Sequence, residues 1–147
     1  MILDERCEFA DALALTGTGT INLGDQIPLT VARNIGSPVK PLYLVITIQG
    51  AITGATSVAF QLVSDSVNPP AVDATVTVHY LSKAIPLASL TANTVVACIP
   101  LPGEPPAYET ILGVQAVIVG TATGGTVNAF LTAVPAQWKA YADAVTP

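Results

Sequence analysis

Apolar and polar residues alternate with a period of two through the middle of the chain, and this pattern predicts β-strands. In the clearest run, residues 42–49, every second residue is leucine or isoleucine. A second run, residues 57–65, has valine, phenylalanine and leucine at alternate positions. Because glycines and threonines separate the two runs, the sequence predicts a hairpin that turns over residues 50–56.

Six further segments repeat the pattern more weakly, and prolines separate several of them. These are residues 20–23, 27–31, 74–80, 94–101, 110–120 and 126–134. The last two are predicted to form a second hairpin around Gly120, Gly124 and Gly125. The pattern therefore predicts an all-β fold, an antiparallel sandwich or small barrel of about seven or eight short strands, and eight strands would suit a jelly roll. No βαβ spacing is present, which argues against a parallel sheet.

The chain of 147 residues has the length of a single domain, but its two ends do not alternate. We expect a sandwich over residues 16–135, an N-terminal arm over residues 1–15 and a C-terminal tail over residues 136–147. Both ends keep large apolar side chains that are costly to leave in water. Docking of both ends on neighbouring chains is therefore predicted, with these partner contacts: Leu3, Glu5, Phe9, Leu13, Trp138 and Tyr141.

The composition predicts a surface that other protein chains cover. Hydrophobic residues make up 51% of the chain and charged residues 10%, against about 25% charged residues in a typical soluble domain. Sparse charge favours association, so a homo-oligomer is expected, with a dimer favoured over a trimer. No apolar run approaches the roughly 20 residues of a membrane-spanning helix. The acidic first residues are also unlike a signal peptide, so no membrane partner is expected.

The charge and the cysteines add further expectations. The net charge is −5, and the five basic residues are scattered, so no direct contact with nucleic acid is expected. Cys7 and Cys98 lie far apart in the sequence and belong to no recognisable motif. Two buried free thiols are the expectation, rather than a disulfide, in a protein made in a reducing cytoplasm.

Candidate catalytic and metal-binding residues are few. The single histidine, His79, lies on the polar side of a predicted strand and is expected to face solvent or an interface. No Gly-x-Ser-x-Gly turn accompanies it, and one histidine is too few for a cupin-type metal site. The acidic cluster near the N-terminus lacks EF-hand spacing and is expected to be solvated or to face a partner. The sequence therefore predicts no enzyme activity, no cofactor and no metal.

Several segments are similar to one protein family over nearly the whole chain. They are Leu3–Ala12, Pro41–Ile46, Val58–Asp65, Asn128–Thr132 and Trp138–Ala142. These segments resemble the capsid cement (decoration) proteins of tailed bacteriophages, specifically of podophages related to the Bordetella phage. The resemblance implies a jelly-roll-like sandwich on the outside of the phage head that bridges major capsid proteins. It implies no catalytic residues.

We therefore expect a structural virion protein, made in the cytoplasm of the host bacterium and located on the outer capsid surface. Its expected partners are the major capsid protein and other copies of itself. The alternative is a head-fibre or receptor-binding β module of the virion. Such a module needs a cleft lined by exposed aromatic and polar groups, and the chain has only eight aromatic residues.

Overall fold

The computed structural model describes residues 5–36 and 39–135. Within these residues the chain forms eight β-strands and two single-turn 3₁₀ segments, Glu5–Cys7 and Leu87–Ser89. The strands are β1 (Glu8–Ala14), β2 (Gly17–Asn22), β3 (Ile27–Pro28), β4 (Tyr43–Asp65), β5 (Thr77–Leu81), β6 (Ile85–Pro86), β7 (Thr94–Pro100) and β8 (Ile111–Thr132). All the strand pairs are antiparallel. The predicted all-β class is confirmed.

Two very long strands, β4 and β8, organise the fold. They pair from one end to the other, with Tyr43 opposite Thr132 and Asp65 opposite Ile111. Their register shifts fall in the middle, over residues 48–57. Register shifts of this kind bend a strand, because an extra residue interrupts the ladder of hydrogen bonds.

Glycines make the bend possible. Gly54, Gly120 and Gly125 lie in this stretch, with φ angles of +83°, +85° and +104°, a region that other residues rarely adopt. A Cβ atom on Gly125 would lie 2.6 Å from both the Cα of Ile52 and the carbonyl oxygen of Ala51. The two long strands can therefore approach each other closely and fold back over themselves.

The bend divides the pairing into two sheets that share the long strands. One sheet has the order β1, the second half of β8, the first half of β4, and β7. The other has β2 and β3, the first half of β8, the second half of β4, and then β5 and β6. Each sheet thus has four strand positions. This is the strand order of a jelly roll, and the predicted jelly-roll-like sandwich is confirmed.

The two predicted hairpins are wrong. Residues 42–49 and 57–65 do not pair with each other, because both belong to β4. Residues 110–120 and 126–134 likewise fall largely within the single strand β8. Glycines that would suit a tight turn serve here as points where a continuous strand passes from one sheet to the other.

The hydrophobic core lies between the two sheets and takes alternate residues from both long strands. Its members from β4 and β8 include Leu44, Ile46, Ile48, Val58, Phe60, Leu62, Leu112, Val114, Ala116, Ile118, Val127, Ala129 and Leu131. The faces predicted from the period-two pattern of β4 are therefore the buried ones.

The prediction of an N-terminal arm over residues 1–15 is wrong for residues 8–15. β1 pairs with β8, and both Phe9 and Leu15 belong to the core. Two register shifts interrupt this pairing, and Ala12 has a φ angle of +48°. Irregularities of this kind remove the strict alternation that identifies a strand in the sequence.

Candidate interaction surfaces

Four exposed apolar side chains lie within one short part of the chain, and we call them the β5 surface: Val67, Val72, Val78 and Leu81. β5 ends the sheet path β1-β8-β4-β5, and among the described strands it pairs only with β4. An edge strand leaves backbone N–H and C=O groups free to pair with another chain. This edge therefore combines unpaired backbone with exposed apolar side chains.

A bulge in β5 turns Val78 outward. Val63 lies opposite Val78, but Leu62 lies opposite Tyr80, so His79 is an extra residue in the ladder. Tyr80 packs against the core, whereas Val78 is 41% exposed. The alternation predicted over residues 74–80 places Val78 and Tyr80 on one face. That prediction is wrong, because one inserted residue reverses the side on which the following side chains lie.

The loop between β4 and β5 is held against the outer face of its sheet by buried amides. Gln61 Nε2 donates a hydrogen bond of 2.7 Å to Gln115 Oε1. Gln115 Nε2 donates to the carbonyl oxygen of Ala71 at 2.7 Å and to Asn22 Oδ1 at 2.9 Å. Asn22 Nδ2 donates to the carbonyl oxygen of Pro70 at 2.9 Å. Since buried amides are costly to leave unpaired, this network fixes the loop in place.

Asp65 anchors the same loop from the end of β4. Its carboxylate accepts hydrogen bonds from the backbone amides of Ala71, at 2.9 Å, and Val67, at 3.2 Å. The bond from Ala71, with further bonds from Val67 and Ser66, lowers the pKa of Asp65, although burial opposes this effect. The ionised carboxylate therefore holds the loop that carries Val67 and Val72.

The β5 surface is nearly free of charge. Residues 66–81 contain one acidic residue, Asp73, and no lysine or arginine. Proteins usually protect a sheet edge with charged side chains, and this edge has none. Exposed apolar side chains at an uncharged sheet edge are typical of a surface that contacts another protein.

A second surface feature is an acidic groove beside β1. An open depression of about 640 Å³ is lined in part by Arg6, Glu8 and Asp25. A neighbouring depression of about 410 Å³ shares Glu8 and Asp25 and adds Asp11. Three carboxylates and one guanidinium therefore border the groove. In the described part of the chain, no group of three or more metal-ligating side chains is placed to hold a metal ion.

The partner contacts predicted at the N-terminus are only partly described. Phe9 is 1% exposed and belongs to the core, so its assignment as a partner contact is wrong. Leu13 is half-buried and packs against the core, and Glu5 begins the 3₁₀ turn before β1. The remaining predicted contacts lie outside the described residues: Leu3, Trp138 and Tyr141.

Neither cysteine forms a disulfide. Cys98 on β7 lies opposite Val45 on β4, and Val45 lies opposite Phe130 on β8. Phe130 lies opposite Glu8 on β1, the residue next to Cys7, so three strand spacings separate the two cysteines. Three strand spacings amount to about 14 Å, which is too far for a disulfide. Cys7 is half-buried but Cys98 is exposed, so the expectation of two buried thiols is wrong for Cys98.

The single histidine lies in a cluster of polar contacts at one end of the sandwich. His79 Nε2 and Ser64 Oγ are 2.7 Å apart, and the imidazole stacks on the Tyr108 ring with centroids 3.8 Å apart. The Glu109 amide donates to Ser64 Oγ at 3.0 Å, and the Thr77 hydroxyl donates to Glu109 Oε1 at 2.7 Å. His79 is half-buried and stacks on Tyr108 of the core, so it is less exposed than a residue that simply faces solvent.

This cluster has only part of the geometry of a nucleophile and its base. Ser64 is 0% exposed, which leaves its hydroxyl out of reach of a substrate. His79 Nδ1 is buried and has no hydrogen-bond partner among the described residues, whereas a catalytic histidine is oriented through that nitrogen. Burial lowers the pKa of His79, opposed by the charge of Glu109, and burial raises the pKa of Tyr108 to about 12. The contacts are those of a structural cluster.

The β5 surface is the feature that sequence reasoning missed. Its valines resemble core valines in the sequence, and only the end of the sheet and the bulge expose them. One signal was available, since Thr77–Leu81 is a strand-like run that contains no lysine, arginine or acidic residue.

In the described ranges, no helix is long and apolar enough to cross a membrane.

Comparison with known protein families finds a match over most of the chain. The model of a family described as Bbp16 matches residues 9–131. The matched range begins in β1, ends in β8 and contains all the strands between them. A search of curated proteins found no match to this chain.

Proposed function

Because the chain belongs to the Bbp16 family, a family of Bordetella phage proteins, we propose that it is a structural virion protein. In this proposal, the protein binds the outer surface of a phage capsid and cements neighbouring major capsid proteins. The observation that carries the proposal is the β5 surface, an uncharged sheet edge with four exposed apolar side chains. Jelly rolls are common in viral capsid domains, but a fold alone does not specify a function. The family and the surface together support the proposal.

The β5 surface suits a cementing role energetically. Burying one valine or leucine side chain contributes about 1.5–3 kcal/mol, and part of this gain is lost to the entropy of association. Several such side chains on a rigid loop and strand are therefore enough for a modest contact. A modest contact is sufficient in a shell, since ~1.4 kcal/mol per copy shifts a local opening equilibrium tenfold.

The same surface can pair with a second copy of the chain. Two β5 edges related by a two-fold axis would bring no like charges together, because Thr77–Leu81 carries no lysine, arginine or acidic residue. We therefore extend the proposal to a homo-oligomer, with a dimer as the expected form.

The test of the proposal begins with purified virions. A cement protein is expected at a copy number comparable to that of the major capsid protein, measured by quantitative mass spectrometry. Shells assembled without this protein should form but open at a lower temperature. A few copies per particle would favour the head-fibre alternative, and equal heat stability with and without the protein would exclude cementing.

Variants then locate the contact. Val78→Ser and Leu81→Ser should weaken binding to shells that lack the protein. The matched control is Val119→Ser, because Val119 is 54% exposed but lies in the bend of β8. If all three variants bind like the wild type, the β5 surface is not the contact.

A further inference from the structure

The segment 101–110 connects β7 to β8 and contacts β4 and β5 around Tyr108. Its ends are held separately, because the Leu101 amide donates to the Leu42 carbonyl oxygen at 2.8 Å and the Leu29 amide donates to the Thr110 carbonyl oxygen at 2.7 Å. Its Tyr108 ring is fully buried in the core, and the Tyr108 hydroxyl donates to the carbonyl oxygen of Pro102 at 2.6 Å. His79 stacks on this ring, and the Glu109 amide bonds to Ser64. We propose that His79 is an acid-sensitive latch, whose protonation releases the segment 101–110 from β4 and β5.

The argument rests on what each nitrogen of His79 can bond. Nε2 shares a hydrogen bond with Ser64 Oγ, whichever atom is the donor. Nδ1 is buried and has no partner among the described residues. In the neutral ring one nitrogen is a donor and the other an acceptor, but in the imidazolium both must donate. Protonation therefore leaves a charged N–H buried without an acceptor, which strongly disfavours the latched position.

The surrounding groups do not remove this penalty. The Ser64 hydroxyl of β4, which bonds to His79, carries no charge. Tyr108, with a pKa of about 12, is neutral in acid. The Glu109 carboxylate attracts the imidazolium, but burial outweighs it, and the pKa of His79 lies below its ordinary value. Asp65, next along β4, directs its carboxylate to the amides of the β4–β5 loop instead.

Linkage then sets the direction of the response. In the released state the imidazole is solvated and has its ordinary pKa, so this state binds a proton more readily than the latched one. The latch is therefore complete above the ordinary pKa and weakens as the pH falls. When His79 is fully protonated, the equilibrium constant for opening is larger than at neutral pH. It is larger by a factor of ten for each unit by which the pKa of His79 in the latched state lies below its pKa in the released state.

The experiment uses the isolated full-length protein. Because the chain has a single histidine, its imidazole NMR signal is unambiguous and reports the latched pKa directly. Amide hydrogen exchange, corrected for intrinsic rates, is measured for the non-proline residues of 101–110, above all for the Glu109 amide that bonds to Ser64 Oγ, and for residues 126–132 of β8 as a reference. As the pH falls and His79 becomes protonated, we expect the amides of residues 101–110 to lose protection. The loss should be tenfold for each unit by which the measured pKa of His79 lies below its ordinary value. The reference amides should remain protected.

Three variants make the test specific. His79→Phe keeps a ring to stack on Tyr108 and cannot titrate, so protection of residues 101–110 should become independent of pH in this range. His79→Gln serves the same purpose if the phenylalanine variant does not fold. Glu109→Gln keeps an acceptor for the Thr77 hydroxyl but removes the attraction, so the pKa of latched His79 should fall further and the loss of protection in acid should become larger.

Four results would overturn the proposal. These are a His79 pKa at or above its ordinary value, protection that stays constant through the titration, the same loss of protection in a variant without His79, and an equal loss in the reference amides. The last would mean global acid unfolding rather than release of one segment.

Discussion

Replacing Phe9 with alanine decides whether β1 belongs to the folded domain or is an arm that docks on a neighbour. Phe9 is 1% exposed and belongs to the core cluster, and its carbonyl oxygen accepts a hydrogen bond from the Asp25 amide at 2.6 Å. Truncating a buried phenylalanine to alanine costs about 3–5 kcal/mol, because the transfer energy is lost and a cavity remains. A cost of this size is a large fraction of the stability of a single domain.

The expected change is large enough to measure in the free protein. In a domain of about 150 residues, 1 kcal/mol corresponds to roughly 2–4 °C in Tm, so Phe9→Ala should lower Tm by about 6–20 °C. Urea unfolding of the isolated protein gives the free energy independently. The control is Leu81→Ala, since Leu81 is 57% exposed, and its effect on stability should stay within about 0.5 kcal/mol.

One outcome would refute this reasoning. If Phe9→Ala leaves Tm and the urea midpoint unchanged but weakens binding to capsid shells, then β1 is the docking arm that the sequence pattern predicted. Phe9 would then contribute to a partner contact, and its place in the core would be wrong for the protein in solution. Loss of stability without any partner present supports the core assignment.

Three further predictions follow from the structure. Gly24→Ala should destabilise the protein by about 1–3 kcal/mol, because Gly24 has a φ angle of +55° and a Cβ there would collide with the Phe9 carbonyl oxygen. The control is Gly103→Ala, which should be neutral in the same urea assay because the space around Gly103 is open. The pKa of Asp65 is lowered in the fold, so its contribution to the free energy of unfolding is complete above the unfolded pKa and is lost as the pH falls through the folded pKa. Asp65→Asn sets an amide donor against the Ala71 amide and should cost about 1–3 kcal/mol at neutral pH. In acid unfolding curves this variant should also show a weaker dependence of stability on pH. Sedimentation at micromolar concentration should show a dimer, and a soluble monomer would contradict the inference from sparse charge.

The sequence alone determined the all-β class and the buried faces of the long strands. Alternation with a period of two is a local property, because successive side chains of any extended segment point to opposite sides. Residues 42–49 and 57–65 therefore identified their own core faces, with Leu44 and Phe60 among the residues that the structure buries. The number and spacing of such runs predicted a sandwich or a small barrel, and the jelly-roll-like form was implied by the family resemblance.

Tertiary structure alone decided which segments pair and what the irregular positions do. Gly54 and Gly120 predicted two hairpins, but a glycine that permits a tight turn equally permits a bend, and only the pairing of residues distant in the sequence distinguishes them. Ala55 lies opposite Gly120, a contact that no local pattern contains. The outward turn of Val78 has the same origin, because the bulge at His79 exists only relative to the strand opposite it. Strand partners are set by burial and register over the whole chain, so the edge strand and the candidate contact surface appear only once the chain is folded.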